Sequence, residues 1–410
     1  MNELSAAANT PAAFWRPVQP VPLEIWNEAV RVAAPLLPPP AASANGGAAS
    51  VMTRALDESL FGDDRYRLSG LKSIYYAVAR PLLPTWVRPL LRKVYHPDEE
   101  VQSLLGWPVE DRFVRFQFAL MAAVMDRLEQ ESLNIVGLWP GGNRFAFVLT
   151  HDVEARPGHD FVRQVMTLEE KYGFRSSFNF VPEGYKIDRD LLDEMRARGF
   201  EVGVHGLKHD GRLFSSRELF EERAHKINAY AREWQAVGYR SPMTHRNPEW
   251  MQSLDIDYDL SFFDTDPYEP MAGGSMSIWP YLNGRFVELP YTLMQDHRYL
   301  EVLEQRTPDL WLEKVSFIEQ NYGMALLNSH PDYLLKPGGM EVYEGLLAAM
   351  AKRQACWHAL PRDVAQWWRH RAAASDQLTT STGPVEPAGG VIWTLEKRGD
   401  RLVVCVPTAS

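Results

Sequence analysis

From Arg144 onward, short apolar runs alternate with longer amphipathic stretches. Phe145 to Leu149 is an unbroken apolar run, as expected of a strand buried on both faces. A helical stretch from about Asp160 ends near Gly173, and Phe174 to Val181 is the next strand candidate. Asp188 can cap a helix that ends near Gly199, after which Phe200 to Val204 runs into His205. Ser215 and Glu218 have capping-box spacing and open a long helix to about Val237, followed by Gly238-Tyr239-Arg240. Thr307-Pro308 starts another helix with Pro at its first position, ending near Gly323 ahead of Met324 to Ser329. Between Tyr258 and Pro290 the helical signal is weak, and Glu288-Leu289-Pro290 reads as the end of a further strand.

Four times a helix meets Gly and passes into a strand, at Gly173, Gly199, Gly238 and Gly323. Gly supplies the left-handed helix end at low steric cost. Repeated helix–Gly–strand units predict an α/β domain with a largely parallel sheet over residues 140–371. Polar residues fall at the C-terminal ends of these strands: Thr150 to Glu154, His205, Arg240 and His330. Barrel-type and open α/β sheets both place their sites at that edge.

The flanks differ from this core. Residues 1–60 are rich in Ala, Pro and Asn and read as flexible or polyproline, with Trp15 and Trp26 able to drape part of them over the domain. Residues 61–139 read as a mostly helical extension, with an amphipathic helix at 110–131 carrying Phe113, Phe116, Phe118, Ala119 and Met125. Within it Tyr75, Tyr76, Trp86 and Tyr95 interleave with Lys72, Arg80, Arg88, Arg92 and Lys93. The favoured reading is an arm packed on the main domain through cation–π contacts, ahead of a membrane-surface contact. Residues 372–390 read as a linker, and 391–410 as a β-hairpin around Lys397-Arg398-Gly399-Asp400.

Composition narrows the partners. The 410 residues carry a net charge of −10 with no long basic run, which argues against nucleic acid. Cys356 and Cys405 make no disulfide framework. No segment has the length and purity of a transmembrane helix, and no basic stretch leads an apolar core at the N-terminus, so a cytoplasmic location is expected.

Three groups of residues carry chemistry. His205 and His209, in H-x-x-x-H, together with a carboxylate from Asp152-Val153-Glu154, suffice to hold a divalent transition metal with a position left for water. On an extended segment Asp152 and Glu154 point the same way while Val153 points into the core, so the second carboxylate is free to act as a base. Arg240 can hold a carboxylate bidentately and keep it ionised. His330 can serve as a general acid, oriented by Asp332 or another acid. His245 and His297 are weaker candidates, and His159 and His225 read as incidental.

Thr150-His151-Asp152-Val153-Glu154, His205-x-x-x-His209, Arg240-Ser241-Pro242 and Leu327-Asn328-Ser329-His330 follow the motif order of the polysaccharide deacetylase superfamily. The chain resembles that superfamily over about residues 140–370, in the branch with a D-x-D first motif. The resemblance implies a distorted, incomplete (β/α) barrel and metal-dependent hydrolysis of an amide or ester. Carried over, Asp152 is the base, Glu154, His205 and His209 hold the metal, His330 is the acid, and Arg240 orients the base. Glu154 stands where the family's pattern has Asp. The family's fourth motif, an Asp near a Trp, has no counterpart of that form; Asp264-Thr265-Asp266-Pro267 and Glu288-Leu289-Pro290 are the candidate replacements.

The expected function is removal of an acetyl group from an N-acetylated sugar, or an O-acetylated one, of a polysaccharide or glycan precursor, with zinc ahead of cobalt or nickel. The alternatives are a catalytically silent carbohydrate-binding or assembly protein of polysaccharide biosynthesis, and a hydrolase of a non-sugar C–N bond. Trp279, Tyr281, Tyr291 and Tyr333 are candidate stacking surfaces for sugar.

Overall fold

The computed structural model describes residues 9–39, 47–62, 66–68, 70, 72, 75, 98–378, 391–399 and 401–407. Its strands are β1 (Ser132–Val136), β2 (Phe145–Val153), β3 (Ser177–Phe180), β4 (Glu201–His205), β5 (Gly238–Arg240) and β6 (Tyr258–Asp259). They continue with β7 (Tyr281–Asn283), β8 (Phe286–Glu288), β9 (Met324–Ser329), β10 (Cys356–His358), β11 (Ile392–Arg398) and β12 (Arg401–Cys405).

The large sheet runs β10-β2-β3-β4-β5-β6-β8-β7, with β9 paired to β2. All its pairings are parallel except the β7–β8 hairpin. Every residue of β2 is buried, as its apolar composition demands. The helices Arg156–Lys171, Arg189–Ala197 and Arg217–Trp234 follow β2, β3 and β4 in sequence and cover the sheet from outside. Beyond β8 the chain turns irregular and reaches β9 through a single parallel bridge, Leu293 to Leu327, rather than a ladder. The sheet is thus a distorted, incomplete (β/α) barrel, as the family resemblance implies.

Two of the four glycines end helices as expected, Gly173 at φ 79° and Gly199 at φ 83°. The other two do not. Gln235 and Tyr322 take the left-handed positions instead, at φ 53° and 59°. Gly238 is required for space, because a Cβ there would lie 2.0 Å from the Tyr258 hydroxyl. The long helix is capped by Ser216 rather than Ser215: Ser216 Oγ accepts from Leu219 N–H, and the helix spans Arg217–Trp234. Pro308 is the N-cap, not the first turn, of the helix Asp309–Gln320.

The Ala/Pro-rich N-terminus is helical where described, at Pro11–Trp15, Leu23–Ala33 and Gly47–Leu56. Trp26, Ala29, Val30 and Ala33 form a buried stripe at helical spacing, and the helix Leu23–Ala33 packs on the helix Arg112–Arg127. Trp15 donates to Gln117 Oε1 at 3.0 Å. Most of the aromatic and basic arm, residues 76–97, lies outside the described residues, and the membrane-contact reading with it. Lys72, which is described, donates to the Pro270 carbonyl at 3.0 Å.

At the other end the helix Pro361–Leu378 runs past residue 372, where a linker was expected. Ala372-Ala373-Ala374 reads as linker composition but carries the highest helix propensity. The C-terminal hairpin β11–β12 is a sheet of three strands with β1, paired from Ser132–Glu396 to Val136–Ile392. Trp393 is fully buried and meets Tyr322 at the barrel's base, so the hairpin is part of the domain. Among the described residues no helix is long and apolar enough to cross a membrane.

Candidate active site

Strand register assembles the site. Asp152 of β2 lies opposite Asn179 of β3, His205 of β4 opposite Arg240 of β5, and Thr150 of β2 opposite Asn328 of β9. Alternation along β2 turns Thr150 and Asp152 into the barrel and His151 and Val153 outward. Gly203 makes room for Asn179: a Cβ at Gly203 would lie 2.0 Å from Asn179 Oδ1. Gly206, at φ 60° against Pro242, then turns the chain so that His209 comes back over the strand ends.

Glu154, His205 and His209 each offer one ligand atom, and these atoms all lie within 4.8 Å of one another. His209 Nε2 is 3.0 Å from Glu154 Oε1. His205 Nδ1 is 3.0 Å from the Arg240 carbonyl, which can only accept, so the proton is on Nδ1 and Nε2 carries the lone pair. That Nε2 is buried and has no hydrogen-bond partner among the described residues. Burial pushes the imidazole down to about 4, opposed by Asp152, so the ring is neutral. A neutral imidazole fixed at Nδ1 by a carbonyl, with an orphaned Nε2 beside a carboxylate and a second imidazole, is the donor set that zinc and its neighbours prefer. Those residues fit a divalent metal.

Asp152 is buried and heavily bonded. Its Oδ1 accepts from Asn179 at 3.0 Å and Arg240 Nη1 at 3.1 Å, and its Oδ2 accepts from Asn328 at 3.0 Å. Burial pushes its pKa up, but Arg240, His205 and His330 outweigh it and hold the carboxyl well below the usual range. Arg240 is itself fully placed by Leu260 O, Asn328 Oδ1 and Thr150 Oγ1. Oδ2 keeps one lone pair, on the side where His330 Nε2 lies 4.0 Å away.

His330 is oriented by Asp296, not by Asp332. Asp296 Oδ1 accepts from His330 Nδ1 and Oδ2 from His330 N, both at 2.7 Å. Burial alone would lower the imidazole's pKa, but Asp296 and then Glu154 and Asp152 push it up to about 10. Asp332, on the short helix after His330, points instead at Gly158. The proposed replacements for the fourth motif are elsewhere as well. Asp264 pairs with Lys314 at 2.7 Å, and Glu288 accepts from Phe262 N inside the sheet. Asp296 is the carboxylate that the fold places against His330, and the only sequence signal near it was His297.

The remaining candidates separate cleanly. Trp279, Tyr281 and Tyr291 are buried in the core; Tyr333, also buried, lies beside His330 at 5.3 Å between ring centroids, with His297 next to both. His159 accepts from Asp188 N in a helix contact. Glu154 and His209 keep 24% and 13% of their side chains exposed, so the site opens on their side.

No family model and no curated protein matches the chain. Solved structures do. One is described as a polysaccharide deacetylase from Mycobacterium smegmatis, 20% identical with a TM-score of 0.47, over 57% of this chain and 93% of the other. Another is described as a polysaccharide deacetylase from Pseudomonas aeruginosa PAO1, 15% identical with a TM-score of 0.47, over 56% and 93%. A third is the Puue allantoinase, 15% identical with a TM-score of 0.46, over 56% and 92%. The chain resembles polysaccharide deacetylases in fold.

Proposed function

We propose that this protein is a metal-dependent hydrolase that removes an acetyl group from an N-acetylated sugar. The observation that carries the reading is the orphaned His205 Nε2, aimed into a group completed by His209 and Glu154. Glu154, His205 and His209 would hold a divalent ion, zinc first, which would supply Lewis acidity and make water there acidic enough to lose a proton near neutral pH. Asp152 receives that proton at Oδ2, whose remaining lone pair faces the pocket. Arg240 and Asn328 keep Asp152 ionised and fixed while it does so. His330 Nε2, 3.7 Å from Glu154 Oε1, faces the same space and donates its proton to the departing amine. His297, half-buried beside His330, offers a flat surface for a sugar ring. Asp296, bonded to His330, supports an active hydrolase over a silent carbohydrate binder.

Purified protein is expected to hold one divalent ion per chain and to release acetate from N-acetylated oligosaccharides. Chelation should stop release, and Zn²⁺ or Co²⁺ should restore it. Protein that binds no ion after reconstitution, or that cleaves only non-sugar amides, would reject the reading.

Asp296 supports a separate prediction. Asp296→Ala frees His330 to turn and to change tautomer, so kcat should fall by about 10²-fold or more with metal content unchanged. A variant with unaltered kcat would show that His330 needs no orientation, and its role as acid would fall.

A further inference from the structure

Asp152 is tied through buried hydrogen bonds to a carboxylate outside the ligand group. Asn328 Nδ2 donates to Asp152 Oδ2 and also to Gln295 Oε1 at 3.2 Å, while Asn328 Oδ1 accepts from Arg240. Gln295 Nε2 in turn donates to Glu269 Oε1 at 2.9 Å, and Thr244 Oγ1 donates to Glu269 Oε2 at 2.9 Å. The donors run in one direction, from Asn328 to Gln295 to Glu269, so each amide has a single allowed orientation. All six residues are buried.

Glu269 is held from two sides. Its neighbour Tyr268 packs on Trp107, and Thr265 donates to the Gly106 carbonyl, both contacts with the N-terminal extension. Thr244, its other partner, is a β-branched residue at φ 52° following Met243 at φ 59°, in the turn just after Arg240. Consecutive left-handed non-glycine residues persist only where surrounding contacts impose them.

We propose that Glu269 is a positioning residue for Asp152, acting through Gln295 and Asn328. The inference rests on the hydrolase reading above and adds a residue to it. Burial and Asp266 push Glu269 up to about 7, opposed by Arg298. A protonated Glu269 keeps the chain intact, since its O–H can donate to the Thr244 hydroxyl while Oε1 still accepts from Gln295. Gln at this position has the same pattern.

The experiment uses Glu269→Ala, Glu269→Gln, Gln295→Leu and the double variant Glu269→Ala/Gln295→Leu. In the two single disruptive variants kcat should fall roughly 10- to 100-fold with KM within about twofold, the scale of a misplaced catalytic group. The double variant should be no worse than Gln295→Leu, because both act through one path. Glu269→Gln should recover most of the loss. The side-chain amide NMR signal of Asn328 should move in Glu269→Ala and stay in place in Glu269→Gln. An unmoved Asn328 signal, additive losses, or a Glu269→Gln loss that tracks a lowered Tm would overturn the proposal. A wild type that releases no acetate would sink the hydrolase reading, and the positioning claim would then be decided by the Asn328 signal alone.

Discussion

His205→Ala should abolish metal retention and acetate release together, whereas Asp152→Asn should abolish release and keep the metal. The two residues are close: His205 Nδ1 lies 3.8 Å from Asp152 Oδ1. Yet they face different partners. His205 turns Nδ1 to the Arg240 carbonyl and Nε2 toward Glu154 and His209, so its loss removes a third of the ligand set. Asp152 spends three acceptor positions on Asn179, Arg240 and Asn328 and keeps one for a proton. Asparagine preserves its shape, and the lost basicity should cost about 10²- to 10⁴-fold in kcat. The drop in His205→Ala should exceed this, because the Lewis acid goes with the ligand. Metal analysis and acetate release on both variants decide the matter. If Asp152→Asn also loses its metal, Asp152 is a ligand and not the base. Unchanged release in both variants would sink the assignment.

Strand ends were legible because their chemistry is local. A carboxylate pair two residues apart on an apolar strand, and two imidazoles across a glycine turn, declare a shared face within ten residues of sequence. The partners that make them work were not. Asn179 looks like one polar position in a short strand, and only the register with Asp152 gives it meaning. Asp296 lies at the start of a short helical turn that runs into the π-helix Arg298–Val302, too short for periodicity to say which way a side chain points. The pairing of β1 with β11 joins residues some 260 apart, and nothing within either short strand names the other. The N-terminus is a different kind of miss. The stripe Trp26, Ala29, Val30, Ala33 is a helix signal, masked by the Pro-rich and Ala-rich composition around it.

What the N-terminal segment contributes to stability should be visible in one residue. Glu58→Ala is expected to lower the free energy of unfolding by about 3–5 kcal/mol, the cost of leaving a buried charge without its partner. That charge is Arg246, fully buried between Phe262 and Phe263, with its guanidinium 5.0 and 4.7 Å from the two rings. All five of its N–H donors are used. Nε and Nη2 reach Glu58 at 2.6 to 2.9 Å, and Nη1 reaches the carbonyls of Thr244 and Met271 at 3.0 and 3.2 Å. Glu58 also accepts from Gly274 N at 2.8 Å and itself sits at φ 57°. One ion pair thus fastens residues 47–62 to the loop that follows Arg240 and to the loop that carries Glu269. The double variant Glu58→Leu/Arg246→Met should be more stable than Glu58→Ala, because no uncompensated charge remains. Denaturant unfolding monitored by tryptophan fluorescence measures both. A Glu58→Ala variant within about 1 kcal/mol of wild type, the usual ceiling for an exposed pair, would mean that this ion pair is solvated and that the N-terminal segment is held by its apolar stripe alone.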